Sequence, residues 1–469
     1  MSVEIASLET LKSDLQAHGQ SHVLGFWDDL SEAERAGLVG QLAQVDLDEL
    51  ARLIADEDEK PDFAAMAERA QPPQAVGIDG AGVDWSVADA VVAGEEALRA
   101  GKLAAIVVAG GQGTRLGFDL PKGMFPIGPV SGRTLFQMFA DRIAALSAKY
   151  GVSIPLYVMT SEATDAETRA YFSENDHWGL DENDVRIFKQ GTMPAVDAET
   201  GKLLLDDKSS LALSPNGHGG TVEALDRSGA LAEMRTRGID HLFYFQVDNP
   251  LIQLLDPAFI GHHLLAGSEL TSQVVRKRYP TERVGNVVEV DGRLQIIEYS
   301  DLPESAAQLT QADGSLKIWA GSIAVHVVCL DFLDRVKDSA TALPFHRASK
   351  KVPFLGEDGE RCEPEQPNAI KFEKFIFDLL PQARNGLVVE VCPAEAFAPV
   401  KNAEGAENDT PSLARQAISQ LHKRWLRAAG VQVGDDVLVE ISPFRAIDET
   451  DLSSDDWASQ TVSSDRFFD

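Results

Sequence analysis

The pattern of apolar and polar positions changes twice along the 469-residue chain. Up to about residue 95 the spacing is helical. Leu8–Gly19, Ser31–Val45 and Leu47–Glu57 carry apolar residues three and four apart among acidic ones. Ser31-Glu32-Ala33-Glu34 fits a capping box, which marks a helix start. These segments predict a helical cap packed on a central domain, with no catalytic residue of their own. Pro72-Pro73, Gly77, Gly80 and Gly82 then read as a linker.

From Lys102 the pattern becomes short apolar runs alternating with helical stretches. Leu103–Ala109, Pro155–Thr160, Val185–Lys189 and His241–Val247 read as strands, with a helix over Thr164–Ser173. The first run is apolar, rich in β-branched residues and free of charge, as suits a strand buried on both faces of a parallel sheet. Val274–Val290 and Leu294–Tyr299 predict a hairpin turned at Asp291-Gly292, and Ile318–Val328 a further strand. The alternation fails after residue 390. There a Gly/Asn/Asp-rich loop at Asn402–Asp409, a helix over Ser412–Ala429 and a strand at Val437–Ile441 follow. The predicted architecture is α/β, a doubly wound, mostly parallel sheet. A helical region over 1–95 precedes the central domain over 96–390, and a small β-rich C-terminal domain over 391–469 follows it.

Composition narrows the possible roles. Lys and Arg number 42 and Asp and Glu 74, so the net charge is −32. Such a balance argues against nucleic-acid binding by phosphate neutralisation. An acidic surface also repels anionic substrates, so an anion site has to concentrate cations locally. No apolar run approaches the roughly 20 residues that span a bilayer, and no basic-then-apolar leader opens the chain. The three cysteines, Cys329, Cys362 and Cys392, have no metal-ligand spacing. Reduced thiols in the cytoplasm are the expectation.

Such a concentration of cations follows the first strand, in LAAIVVAGGQGTRLGFDLPKGMFP from Leu103 to Pro126. Ala109 ends the strand and counts with Gly110 and Gly111 as a substrate-binding position, and Gly110, Gly111, Gly113 and Gly117 let the backbone turn tightly and approach an anion. Arg115 and Lys122 add positive charge, and together these features suit a polyphosphate. No Gly-Lys-Ser/Thr closes the loop, and its glycines lack the dinucleotide spacing. The string GGQGTRLG…PKG resembles the signature of sugar-nucleotide pyrophosphorylases. With Thr134-Leu135-Phe136-Gln137 it resembles the eukaryote-type UDP-N-acetylhexosamine pyrophosphorylases. The resemblance covers about residues 20–420 with its motifs in order, beginning at His18-Gly19-Gln20 and Phe26-Trp27.

The resemblance implies a Rossmann-like nucleotidyltransferase and assigns roles by position. A lone Asp after a strand is ordinarily a cap or turn residue. FYFQVDNPL…DPAFIG is similar to the family's metal-binding region, and this gives Asp248 to Mg²⁺. A Gln amide offers a uracil edge both donor and acceptor. In the family a Gln-Gly pair and a glycine-rich loop hold the uracil, which implicates Gln190, Gly191 and Gly217. His218 departs from the pattern: UDP-N-acetylhexosamine enzymes usually carry Asn there, and UDP-glucose pyrophosphorylases a Gly-His-Gly loop.

Thr281–Gly285 and Ile297-Glu298-Tyr299-Ser300 resemble the sugar-binding segments, with Gly285 and Glu298 as contacts and Tyr299 beside them. Ser322 stands where the family has a sugar-contacting Asn. Asn368–Asp378 matches the segment whose aromatic residues wall the N-acyl pocket, and this implicates Phe375 and Phe377, whose other reading is helix core. Ala398-Pro-Val-Lys401-Asn402 matches a motif whose lysine reaches back to the phosphates.

The reaction so implied is UTP + sugar 1-phosphate → UDP-sugar + pyrophosphate, with N-acetylglucosamine 1-phosphate the favoured acceptor. Its nucleophile is an ionised phosphate oxygen, so catalysis rests on alignment and charge stabilisation by Arg115, Lys122 and Lys401. Two other readings stay open: a UTP–glucose-1-phosphate uridylyltransferase, and an inactive UDP-sugar-binding regulator. The presence of every charged group of the site argues against the second.

Overall fold

The structure, a computed structural model, describes residues 5–55, 62–337, 343–452, 457 and 460–469. The chain forms two compact units. One comprises Met1–Asp62, Gln190–Thr221 and Leu343–Ile376, and the other Phe63–Lys189, Val222–Ala342 and Phe377–Asp469.

The larger unit is built on one sheet, ten-stranded among the described residues. In chain order its strands are β1 (Ala75–Val76), β2 (Leu103–Val108), β3 (Leu156–Thr160), β4 (Val185–Lys189), β5 (His241–Gln246), β6 (Leu270–Arg276), β7 (Gly285–Val290), β8 (Arg293–Ile297), β9 (Ala320–Cys329) and β10 (Leu387–Glu390). Across the sheet the order is β1-β10-β6-β9-β5-β2-β3-β4. β2 is buried at every position and pairs in parallel with β5 and β3, as its uninterrupted apolar run predicts. β9 runs antiparallel to both β5 and β6. The sheet is therefore mostly parallel, with β9 reversed inside it.

Two sequence expectations are corrected. Pro72–Gly82 contains β1, which pairs with β10 at the sheet edge. Two residues are too few to show an alternating pattern, so the turn residues around them dominated the reading. Val274–Val290 is two strands rather than one. β6 ends at Arg276 beside β9, a turn through Pro280 follows, and β7 starts at Gly285. The hairpin is β7 with β8, and both of its turn residues, Asp291 and Gly292, have left-handed φ (52° and 76°).

The helix Val87–Arg99 lies against Pro257–Leu265 closely enough that only glycine fits at the contact. A methyl on Gly94 would fall on the Pro257 carbonyl, and one on Gly261 on the Ala90 carbonyl. Gly261→Ala is expected to destabilise the fold by about 1–3 kcal/mol. A thermal melt checks this, and an unchanged midpoint would mean the helices separate without cost. Residues of the C-terminal helix Pro411–Ala428 and of the strands Val439–Ile441 and Arg466–Phe468 share the main core. Trwo aromatic anchors, Trp425 and Phe468, lie in one apolar cluster with Val107 and Phe139. Among the described residues no helix is long and apolar enough to cross a membrane.

The smaller unit packs its helices Ile5–Ala17, Glu32–Leu42 and Leu47–Ala55 onto short strands. Leu15, Leu38 and Leu50 are buried with Val196, Leu203, Leu211 and Phe372. The capping box at Ser31 and Glu34 forms as expected. The expected helix end at positions 56 and 57 lies outside the described residues. A three-stranded sheet of Phe345–Lys350, Ala369–Lys374 and Val196–Asp197 completes the unit.

Candidate active site

In the smaller unit a glycine loop is moulded onto the end of the strand Ala369–Lys374. Gly217 has φ +82°, and a Cβ there would strike the Lys374 carbonyl; one on Gly219 would lie 2.6 Å from the Phe375 nitrogen. Asn216 fastens the loop, accepting the Lys374 N–H through its carbonyl and donating its own N–H to the Gly191 carbonyl. Its side chain is buried against Gly191 and Gly220, leaving no room for a Cβ at either. Gln190 is buried beside Gly191.

His218 accepts the Ile376 N–H at Nδ1 (3.2 Å), so the neutral ring carries its proton on Nε2. Burial pushes its pKa down to about 4, and the neighbouring His346 adds to the shift. Its ring lies 5.3 Å from that of Phe375, which has His346 4.6 Å away. His218 is thus a neutral N–H donor at physiological pH, the same hydrogen-bonding role an Asn amide could fill.

In the larger unit β2 delivers the glycine loop. The Ala109 N–H is taken by the Met159 carbonyl, and the Gly110 and Gly111 carbonyls accept from Ser161 Oγ and the Lys122 N–H. Gly113 has Phe118 packed 2.7 Å from where a Cβ would be, and Gly123 has no space before the Phe136 ring. These contacts set the short turns Thr114–Leu116, which carries the exposed Arg115, and Lys122–Met124. The Lys122 Nζ lies 3.8 Å from Asp248 Oδ2, with the two side chains 17% and 20% exposed. Burial holds the Lys122 ammonium below its ordinary pKa. Asp248 works against that shift, and the positive charges of Lys401 and Arg115 add to it.

Asp248 follows β5, and its carbonyl accepts the Val400 N–H at 2.8 Å. Asn249 is buried next to it, donating to the Ala396 carbonyl (2.7 Å) and accepting the Ala398 N–H (3.0 Å). This brings Lys401 to the Asp248 side of the sheet. The Asp409 carbonyl then closes the following loop by accepting the N–H groups of Lys401 and Asn402. Burial pushes the Asp409 carboxyl up, and Lys401 and Arg278 oppose that shift. Sequence reading passed over the fastening roles of Asn249 and Asp409. Asn directly after the candidate metal Asp was the available signal for the first.

Gly285, Glu298 and Ser322 form a third group, on β7, after β8 and on β9. Gly285 pairs with Ser322, and a Cβ on Gly285 would lie 3.2 Å from Glu298 Oε1 and 2.9 Å from Ile296. Ser322 Oγ accepts the Ala324 N–H at 3.3 Å, at an irregularity where Ala324 takes a left-handed φ of 56°. Tyr299 stands exposed beyond Glu298. Phe377 is buried in the 3-10 turn Ile376–Gln382, and Phe375 precedes that turn. Neither sits in an α-helix core. The structure thus groups Gln190, Gly191, Gly217, His218 and Phe375 in one unit. The other unit holds the cationic loop with Asp248 and Lys401, and the group around Gly285.

A model of the UTP–glucose-1-phosphate uridylyltransferase family matches residues 85–432. UDP-N-acetylhexosamine pyrophosphorylase-like protein 1 of Homo sapiens is 39% identical over 446 residues, which cover 92% of this chain and 88% of that protein. UDP-N-acetylglucosamine pyrophosphorylase of Saccharomyces cerevisiae is 35% identical over 444 residues, covering 90% and 92%. The crystal structure of the Trypanosoma brucei uridine diphosphate N-acetylglucosamine pyrophosphorylase superposes with a TM-score of 0.79 at 28% identity, covering 96% of this chain and 94% of that one.

Proposed function

The chain belongs to the UTP–glucose-1-phosphate uridylyltransferase family, and from that premise we propose that it makes UDP-N-acetylglucosamine and pyrophosphate from UTP and N-acetylglucosamine 1-phosphate. The observation that carries the reading is the convergence of Lys122, Asp248 and Lys401 from three distant stretches onto one end of the parallel strands. Ligands of doubly wound sheets bind at that end. A phosphate oxygen of the sugar phosphate attacks the α-phosphorus of UTP. The bond to the β-phosphate oxygen breaks, and pyrophosphate leaves with the electron pair. Lys122 and Lys401 offset charge on the α-phosphate and the incoming phosphate, and Arg115 holds the leaving pyrophosphate. Gln190, Gly191 and the Gly217 loop hold the uracil. No side-chain nucleophile or base is needed.

Mg²⁺ fits the donor set. Asp248 offers one hard carboxylate, and among the described residues no three His, Cys, Asp or Glu gather as metal ligands. Mg²⁺ takes such a carboxylate together with phosphate oxygens and water. Bound there, it supplies positive charge to the α-phosphate and the leaving oxygens. The chain's part is to hold that carboxylate still, through the Asp248 carbonyl bond to Val400 and the neighbouring Asn249. Cys329, Cys362 and Cys392 are unpaired, which suits a cytoplasmic location.

The favoured sugar has support from the relatives named above and from the aromatic pair Phe375 and Phe377. An N-acetyl group brings a methyl to bury, worth about 1 kcal/mol. Pyrophosphate release with UTP and a panel of sugar 1-phosphates is the test. The expected result is the highest kcat/KM for N-acetylglucosamine 1-phosphate, with Phe377→Gly shifting preference toward larger N-acyl groups. A tenfold or greater preference for glucose 1-phosphate would assign the other sugar. No turnover with any sugar would leave a binding protein.

A further inference from the structure

The sugar-side residues Gly285, Glu298 and Ser322 share one face of the sheet, since Gly285 pairs with Ser322 and a Cβ on it would lie 3.2 Å from Glu298 Oε1; their neighbours along the chain belong to the opposite face. That opposite face carries a buried charge that the mechanism does not use. Lys277 follows β6 and is 7% exposed; Asn286 on β7 is 1% exposed. Lys277 Nζ donates to Asn286 Oδ1 (2.7 Å) and to the Pro280 carbonyl (3.0 Å). Asn286 Nδ2 donates to the carbonyls of Val284 (3.3 Å) and Ile297 (3.1 Å).

The lysine reaches Asn286 by crossing β9, which lies between β6 and β7 at this point: Val275 and Asn286 both pair with Gly321. Gly321 lets the Val284 side chain pack against this crossing. A Cβ there would lie 2.7 Å from Val284 and 3.5 Å from Lys277 Cγ. Apart from the Pro280 carbonyl, every group along this bridge adjoins a sugar-side residue. Val284 and Asn286 flank Gly285, Ile297 precedes Glu298, and Gly321 precedes Ser322.

We propose that Lys277 is a positioning residue, a strut across Gly321 that fixes the spacing of Gly285, Glu298 and Ser322 from behind. The inference rests on the reading that these three contact the sugar. Three pairs alone join β7 to β9, Gly285–Ser322, Asn286–Gly321 and Val287–Ala320, before the hairpin leaves the sheet. The far end of the hairpin is held by two backbone bonds between Gln71 and Glu289 and by the packing of Val288 and Val290, so without the strut it is the Gly285 end, beside the seam, that can shift. Burying an ammonium is costly, and an apolar side chain of similar volume would often be as stable or more so. Burial indeed pushes Lys277 down to about 8. The retained charge is accounted for by geometry it imposes rather than by stability it adds.

The test compares Lys277→Met, Asn286→Asp and Glu298→Gln in the full chain, with steady-state kinetics for both substrates and a thermal melt for each. Asn286→Asp keeps the volume and the Lys277 bond but turns an acceptor toward the Val284 and Ile297 carbonyls. The expected result is a KM for the sugar 1-phosphate raised about tenfold to a hundredfold in the first two variants, as misplacement by about 1 Å produces. The KM for UTP should stay within about threefold, a split that general loss of stability does not produce. If Glu298→Gln raises that KM while the other two leave it within threefold, the strut is refuted and the sugar reading stands. If Glu298→Gln has no effect, the sugar reading fails and the strut fails with it. Should Lys277→Met not fold, Asn286→Asp carries the comparison. Failure of both to fold would make the bridge a folding element and overturn the proposal.

Discussion

Lys122→Ala is expected to lower turnover by about 10²–10³-fold, the loss that follows removal of one preorganised charge from a transition state, roughly 2.7–4 kcal/mol. The ammonium is already largely removed from water, 3.8 Å from Asp248 and within the field of Lys401 and Arg115. A charge held in that way changes its surroundings little as negative charge develops on the α-phosphate. Stability should change little, because the variant also removes repulsion from Lys401 and Arg115 and leaves Asp248 partly hydrated. Pyrophosphate-release kinetics and a thermal melt on the same preparation separate the two effects. Turnover within threefold of wild type would remove Lys122 from the phosphate site.

Asp248→Asn should cost at least about 100-fold in turnover at a fixed, limiting Mg²⁺ concentration, with part of the loss recovered as Mg²⁺ is raised. The fold should be unaffected. The Val400 N–H bonds to the backbone carbonyl of residue 248, and the amide preserves the shape of the carboxylate. The measurement is turnover against Mg²⁺ concentration for both proteins. Superimposable curves would make Asp248 a structural residue. Calorimetric titration of Mg²⁺ in the presence of UTP gives a second readout that does not depend on turnover.

The parts legible in the sequence are those whose cause is local. β2 announces itself because both of its faces are buried, so no polar residue interrupts Leu103–Val108. The capping box at Ser31 closes on a residue three positions away, and the turn at Asp291-Gly292 needs left-handed backbone at those two positions alone. The break between β6 and β7 was hidden because both segments are buried at most positions, six in succession in β6 and four of six in β7. What differs is the pairing partner, and burial carries no record of a partner. Asn249 and Lys277 were missed for a related reason. Each acts on atoms that are remote in sequence or on the far side of a strand, Ala396 and Ala398 for one and Asn286 for the other. Phe375 and Phe377, two positions apart, are divided by the start of a 3-10 turn, and spacing alone did not reveal that division.

The make-up of the smaller unit has a consequence for how the protein is produced. Leu15, Leu38 and Leu50 end up buried with Phe372, yet Leu343–Ile376 leaves the ribosome about 280 residues after Met1–Asp62. At about 5–20 residues per second that interval is roughly 15–60 s. Through it the first three helices are present with apolar faces that nothing yet made can fully cover. Pairing over such sequence distances is also intrinsically slow. Recovery of active enzyme should therefore depend on translation rate and on chaperone supply during synthesis, more steeply than for a protein whose units are each contiguous in the chain.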